Sequence, residues 1–431
     1  MAHARANPAL GHREESVAHK GFDVWPVLVS ARVTATGALE VLLVFLKLGL
    51  TSFGGPIAHL GYFRNEFVVK RRWLDEHAYA DLVSLCQFLP GPASSQVGFS
   101  IGLLRAGLPG GVAAWLGFTL PSAIALVLFA CGASLLEGPA GVGLLHGLKL
   151  VAVAIVAQAV WGMARTLCPD RQRAVIAVGA VLILLWLRSP LAQIGVISLG
   201  GVLGLVLLRK TSDPANAGHL PVLVSRRAGF VALTLFFLLL AGLPALRGLG
   251  APEGIALFEA FYRSGALVFG GGHVVLPLLS EAVVTPGWVS NDTFLAGYGA
   301  AQAVPGPLFA FAAYLGTVVG PAPHGVAGAA MGLIGIFLPG ILILLGALPF
   351  WETFRQRATA RAMMAGVNAA VVGLLAAALY DPVWTSSVAT VGDAALALIG
   401  FVLLTVWRTP PLAVVVLTAL GGIVLASVST W

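Results

Sequence analysis

The chain writes one helix-breaking hexapeptide twice. Gln87-Phe88-Leu89-Pro90-Gly91-Pro92 returns 215 positions later as Gln302-Ala303-Val304-Pro305-Gly306-Pro307. Each copy interrupts a long apolar run where a continuous helix would otherwise form. Pro-Gly-Pro cannot continue one, because each proline removes an N–H donor and clashes with the preceding turn. In lipid, broken backbone survives only where protein buries it or a watery cavity wets it. The duplicated break therefore points to a transporter built from two repeats.

Composition sets the same class. Of 431 residues, 58% are hydrophobic and 10% charged, with a mean hydropathy of +0.93. Soluble proteins carry roughly a quarter charged residues. Many runs here reach the ~20 apolar residues that cross a ~30 Å hydrocarbon core. The fold class expected is an all-α polytopic membrane protein of two inverted-topology repeats, with broken or re-entrant helical hairpins. The net charge of +7 does not indicate nucleic acid, because the cations lie between apolar runs. Cys86, Cys131 and Cys168 make neither a CxxC nor a disulfide framework. A membrane-embedded enzyme is the alternative class. It lacks support from a nucleophile elbow, HExxH, Walker loop or dinucleotide fingerprint, and no cofactor is expected.

In chain order, 1–36 reads as a cytoplasmic polar tail without a removable signal peptide. Residues 37–208 form a first membrane repeat, 209–250 a linker and an extra transmembrane helix, and 251–431 a second repeat. The second repeat replays the first in order. Phe269-Gly270-Gly271 answers Phe53-Gly54-Gly55, Trp288 answers Trp73, Arg263 answers Lys47, and Asn368 answers Lys149. If the two broken runs of each half are hairpins that enter and leave on one side, four full spans, one extra span and four more remain. Nearly all of the 25 Lys and Arg then fall inside, including Arg64, Lys70, Arg71 and Arg72, with only Arg188 and Arg247 outside. The charges favour inverted repeats, with the C-terminal Trp431 outside.

Phe53-Gly54-Gly55-Pro56, the Arg71-Arg72-Trp73-Leu74 connector and both Pro-Gly-Pro segments resemble the chromate ion transporter family. The mirrored Phe269-Gly270-Gly271-Gly272-His273 belongs to the same resemblance, which covers roughly residues 40 to 430 in a long, two-repeat form. One departure is Gly272-His273 where the first half has Pro56-Ile57. The resemblance implies efflux of chromate from the cytoplasm across the plasma (inner) membrane and chromate resistance. Sulfate or another oxyanion is the alternative cargo. The bilayer is the other partner, nucleic acid is not, and a homodimer is compatible with the sequence.

The residues support an oxyanion by themselves. Lys47, Arg263 and Lys149 lie within apolar runs, where an ionised group costs about 2.5–3.5 kcal/mol at the bilayer centre on the lenient scale. Inverted repeats would bring Lys47 and Arg263 toward one midplane cavity, where a tetrahedral dianion wants paired positive charge. The alternative is that each snorkels or pairs locally, and Glu259 lies one turn before Arg263. The breaks add partial charge: after Pro90, Gly91 and Pro92 the helix restarts through Ser94 and Ser95, and helix N-termini bind oxyanions. Gly54, Gly55, Gly270 and Gly271 allow close backbone approach. Gln87, Gln302, Pro305, Gly306 and Pro307 complete the candidate substrate site. Glu259 and His273 are candidate proton carriers, while His59, His146 and His324 read as isolated, without metal-ligand spacing.

Overall fold

The computed structural model describes residues 35–133, 138–187, 190–208, 224–351, 353 and 357–428. Most of the expected tail, linker residues 209–223, Arg188 and Trp431 lie outside the described residues. Every regular element among the described residues is helical. In the first half, α1 (Ala35–Thr51) reaches the break at Ser52, and α2 (Gly55–Phe63) leaves it, widening into π-type turns over Arg64–Lys70. Next come α3 (Glu76–Phe88), α4 (Ala93–Ala133), α5 (Gly138–Leu167), α6 (Arg171–Trp186) and α7 (Pro190–Leu207). The extra helix is α8 (Arg226–Gly248). The second half holds α9 (Glu253–Ala266), α10 (Val275–Leu279), α11 (Asn291–Ala301), α12 (Phe311–Val318), α13 (Gly325–Ala347), α14 (Ala358–Ala378), α15 (Val391–Thr405) and α16 (Pro411–Val428).

Local chemistry starts these helices at equivalent places. The Asp75 side chain accepts from the Ala78 N–H at the head of α3, and Ser290 accepts from Thr293 N–H at the head of α11. Asp170 caps α6, and Thr390 forms a capping box with Asp393 at α15. Such caps satisfy backbone donors that the first turn leaves free. α4 is two rods: Ala106 and Gly107 leave helical geometry inside it.

The broken runs are hairpins. α1, α3 and α9, of 17, 13 and 14 residues, each end or begin at a break, and in the first half the chain returns to the level from which it entered. Glu40, near the start of α1, pairs with Arg71 at 3.5 Å and with Arg105 at 3.0 Å. Both guanidinium groups sit over the Trp73 ring. The start of α1, the connector and the break inside α4 therefore share one mouth. The second half repeats this with other atoms. Glu253 accepts from Ala322 N–H at 3.0 Å, Gly320 N–H donates to Trp288 O at 3.1 Å, and Arg247 lies over the Trp288 ring. Between the two mouths run the second rod of α4, then α5, α6, α7 and α8. Counted as one crossing each, these five place the mouths on opposite sides, as the inverted-repeat expectation requires.

The halves also exchange outer helices. α5 lies along α16, and α14 lies along α7. A Cβ at Gly147 would collide with the Thr418 carbonyl, and one at the equivalent Gly366 would collide with that of Gly200. Helix association in lipid rests on such close backbone approach, since apolar side chains gain nothing by leaving lipid. Outward faces are apolar, with Leu39, Leu43 and Leu50 on α1 and Phe230, Phe237 and Leu238 on α8.

Two outcomes test this architecture. Cysteines replacing Asn65 and Ser290 should react with an impermeant thiol reagent from opposite sides of the membrane; reaction from one side would refute the inversion. Gly366→Val should sharply reduce folded protein recovered from the membrane, while Gly195→Ala, which has open space around it, should leave the yield unchanged.

Candidate functional site

The hairpins of the two halves meet tip to tip. Gly91 N–H donates to Val268 O at 2.8 Å, and Gly306 N–H donates to Ser52 O at 2.9 Å. Gly91 and Gly306 are equivalent, as are Ser52 and Val268, so the bonds are exchanged across a two-fold relation. Pro56 and Gly272, also equivalent, face each other: a Cβ at Gly272 would stand 3.0 Å from Pro56 Cγ. Equivalent positions touch only beside the axis. Gly91 has φ 115° and Gly306 φ 102°, which a side chain would strain. A Cβ at Gly91 would also stand 3.0 Å from Gly340 Cα, and one at Gly306 2.9 Å from Ser122 Oγ.

The electrostatics follow from which backbone groups are already engaged. Carbonyls at the ends of the inbound helices are occupied: Ser52 O and Val268 O by the glycine N–H groups, and Pro90 O by Gln96 Nε2 at 2.9 Å. Gln96 Nε2 also bonds Gly340 O at 2.9 Å, tying the halves together. The outbound segments all begin at the tips, with α2 and α4 in one half and the 3-10 turns Gly272–Val274 and Leu308–Ala310 in the other. Gly54, Gly271 and Pro307, which precede three of them, supply no side-chain cap. The starts of α2 and α4, whose first turns lack intrahelical acceptors, therefore lie at the tips and contribute partial positive charge there. Ser52 Oγ, Ser95 Oγ, Gln96 Oε1 and Gln302 Nε2 are buried without a hydrogen-bond partner among the described residues. An unmade buried hydrogen bond costs about 1–3 kcal/mol, so this region is built to receive a polar occupant.

The expected residues divide into two groups. Gly54, Gly55, Pro90, Gly91, Pro92, Ser94, Ser95, Gly270, Gly271, Gln302, Pro305, Gly306 and Pro307 lie at or beside the tips. Ser94 and Ser95 are buried there, and His59 Nδ1 lies 3.5 Å from Ser94 Oγ. Gln87 is exposed on α3 just before its break, whereas Gln302 is half-buried. His273 is half-buried, its Nδ1 2.7 Å from the Tyr298 hydroxyl.

The cations stand elsewhere, which corrects the expectation of a shared pair. Lys47 is exposed beside Leu43, Leu46 and Leu50, and its charge acts on Glu66 near the first mouth. Burial pushes the Glu66 carboxyl up, but the Arg71 hydrogen bond and the charges of Arg71, Lys70 and Lys47 outweigh it, so it titrates below its ordinary range. Arg263 Nε pairs with Glu259 Oε1 at 2.6 Å, and Arg247 reaches Glu259 Oε2 at 3.2 Å. Lys149 Nζ pairs with Asp292 Oδ1 at 2.8 Å. Local pairing thus holds for both: Asp292 neutralises Lys149, while Glu259 is shared by Arg263 and Arg247, so that cluster keeps one positive charge. Sequence reasoning missed Ser52, His59, Gln96 and Ser100; the run of Ser94, Ser95, Gln96 and Ser100 over two turns of an otherwise apolar helix was the available signal. His146, expected to be isolated, lies 2.7 Å from Asp393. No metal-ligand cluster occurs among the described residues.

A family model described as "Chromate transporter" matches residues 39–205 and again 255–423. The "Chromate transport protein" of Pseudomonas aeruginosa is 29% identical over 390 residues, covering 88% of this chain and 89% of that protein. The "Probable chromate transport protein" of Synechococcus elongatus is 27% identical over 397 residues, 88% and 93% of the two chains. The "Uncharacterized transporter YwrA" of Bacillus subtilis is 34% identical over 123 residues, 28% of this chain and 67% of that protein. No solved structure matches the chain.

The ion pairs predict a stability effect. Glu259 is 3% exposed between two guanidinium groups, and removing one member of a buried pair costs about 3–5 kcal/mol. Glu259→Gln should lower the thermal midpoint in detergent, and adding Arg263→Gln should recover part of the loss. A single variant melting with the wild type would remove the structural role of this pair.

Proposed function

The chain belongs to the chromate transporter family, and we propose that it exports chromate from the cytoplasm by alternating access of its two repeats around the hairpin tips. The observation that carries this reading is the reciprocal tip junction. It gathers helix starts and unpartnered hydroxyl and amide groups where hairpins from opposite mouths meet. A tetrahedral dianion fits such a set of donors, as anions fit discontinuous helices near the bilayer midplane in other transporters. In this reading the backbone beside Gly54, Gly55, Gly91, Gly270, Gly271 and Gly306, together with Ser94, Ser95 and Gln302, contacts the anion. Lys47, Arg263 and Lys149 shape the surrounding field.

The direction is supported by charge. Arg64, Lys70, Arg71, Arg72 and Arg105 gather at the first mouth, and a Lys- and Arg-rich connector favours the cytoplasmic side. With that mouth cytoplasmic, a dianion leaving a negative interior gains about 4.6 kcal/mol at 100 mV, twice the ~2.3 kcal/mol per charge. Export then needs no second ion, and cells holding the protein in the inner membrane would resist chromate.

The test is flux of chromate from proteoliposomes at clamped potential, with sulfate as competitor. Gly91→Ala and Gly306→Ala should each slow flux at least tenfold, with protein yield preserved. Wild-type flux in both variants would remove the tips from the transport path. Chromate flux that needs a pH gradient would replace simple export with proton coupling, bringing Glu259 and His273 back as carriers.

A further inference from the structure

The two hairpin pairs are equivalent in sequence but unequal in packing, and the difference marks the anion's route. This inference rests on the transport reading above. Along α11, Asp292, Leu295, Gly299 and Gln302 fall on one face, spaced three and four residues apart. α5 lies on α11. A Cβ at Gly299 would collide with the Leu148 carbonyl, Leu295 is fully buried, and Lys149 bonds Asp292 at the open end. The equivalent face of α3 is His77, Ala80, Ser84 and Gln87, and all four are exposed. The counterpart of α5 is α14, which lies along α6 and α7, with Asn368, the counterpart of Lys149, beside Gly270.

The α3 face does not have the composition of a lipid-facing surface. The outward faces of α1 and α8 expose mainly leucine, valine and phenylalanine, with Lys47 and Thr51 on α1, whereas the α3 face exposes His77, Gln87 and a Ser84 hydroxyl bonded to Ala80 O, with no large apolar side chain among its four residues. Polar groups at membrane depth face protein or a watery cavity. At one end of this face lie exposed Arg64, Lys70, Arg71 and Arg72, and at the other exposed Gly54. Glu76, also exposed beside His77, pairs with Arg64 at 2.6 Å, and Glu66 pairs with Lys70 and Arg71, so the start of the path keeps a small net positive charge.

We propose that the His77–Ser84–Gln87 face of α3 is the aqueous path by which a tetrahedral oxyanion reaches the hairpin tips from the basic mouth. α5 seated on α11 is the same path closed on the other side, with Lys149–Asp292 as its latch. The opposite state seats α14 on α3 and withdraws α5 from α11.

Cysteine accessibility tests this in the full chain in membrane vesicles, with Cys131 and Cys168 replaced by serine. A charged, impermeant thiol reagent should label Ala80→Cys and Ser84→Cys from the Arg71 side at least tenfold faster than Leu295→Cys from the other side. Asp292→Asn should slow labelling of Ser84→Cys and speed that of Leu295→Cys, as a shift between two states requires. Ser84→Cys reacting only with a lipid-soluble maleimide would overturn the path. Labelling unaffected by Asp292→Asn would overturn the latch. These readouts need no cargo, so failure of the chromate reading would appear separately, as absent chromate flux from a chain that labels as expected.

Discussion

Two backbone hydrogen bonds, Gly91 to Val268 and Gly306 to Ser52, hold the centre of this protein. Within each Pro-Gly-Pro the prolines have no N–H, so the glycine is the only backbone donor the triplet owns. Each glycine gives that donor to a carbonyl left over at the break of the other half. A backbone carbonyl without a partner in hydrocarbon costs several kcal/mol. Each break thus satisfies a group that the other leaves open, which gives a physical reason for the break to occur twice. The positive φ at both glycines follows from turning that N–H across the axis.

Much of this was legible in sequence because it is written in residues with strong backbone preferences. The Pro-Gly-Pro and Gly-Gly breaks mark where helices stop and start, and the charge distribution favoured hairpins over extra spans without deciding between them. The destination of the cations was less legible. Glu259 and Arg263 are one turn apart, so their pairing was visible as an alternative. Arg247 arrives from α8 and Asp292 from α11, and no local spacing records a contact between distant helices. Lys47 shows the same limit: in an apolar run, equivalence by repeat gives the position on the helix but not what stands opposite it. The histidines were misjudged for a related reason, because isolation along the chain says nothing of isolation in space, as His146 beside Asp393 shows.

The repeats are equal in pattern and unequal in surroundings, and the packing chemistry allows that. Where α5 meets α11 and where α14 meets α7, glycines bring backbone against backbone. Such interfaces carry little interlocking side-chain volume, so a helix can change neighbours without repacking a jigsaw core. The extra helix α8 biases the pair further. Its Arg247 enters the second half's ion pairs and covers Trp288, while the equivalent position in the first half is occupied by Arg105 and Glu40. Inverted repeats with unequal edges give two states of different energy, a condition for one side to be open in the empty protein.

Placing the full cations away from the tips has a consequence for how voltage acts. If two free cations stood at the junction, a bound dianion would make the loaded carrier nearly neutral, and the membrane potential would act on the return of the empty, positive site. With Lys149 paired to Asp292 and Arg263 sharing Glu259 with Arg247, the groups that meet at the tips themselves are hydroxyls, amides and helix starts rather than ionised side chains. The loaded form then carries the anion's own charge. In the proposed export cycle the potential, about 2.3 kcal/mol per charge at 100 mV, would then act on the step that moves cargo rather than on the return. Partial charges also bind more weakly than ion pairs in a desolvated site, which favours release on the far side. If the chain exports a dianion as proposed, neutral donors at the tips would couple the movement of the anion's charge to that export.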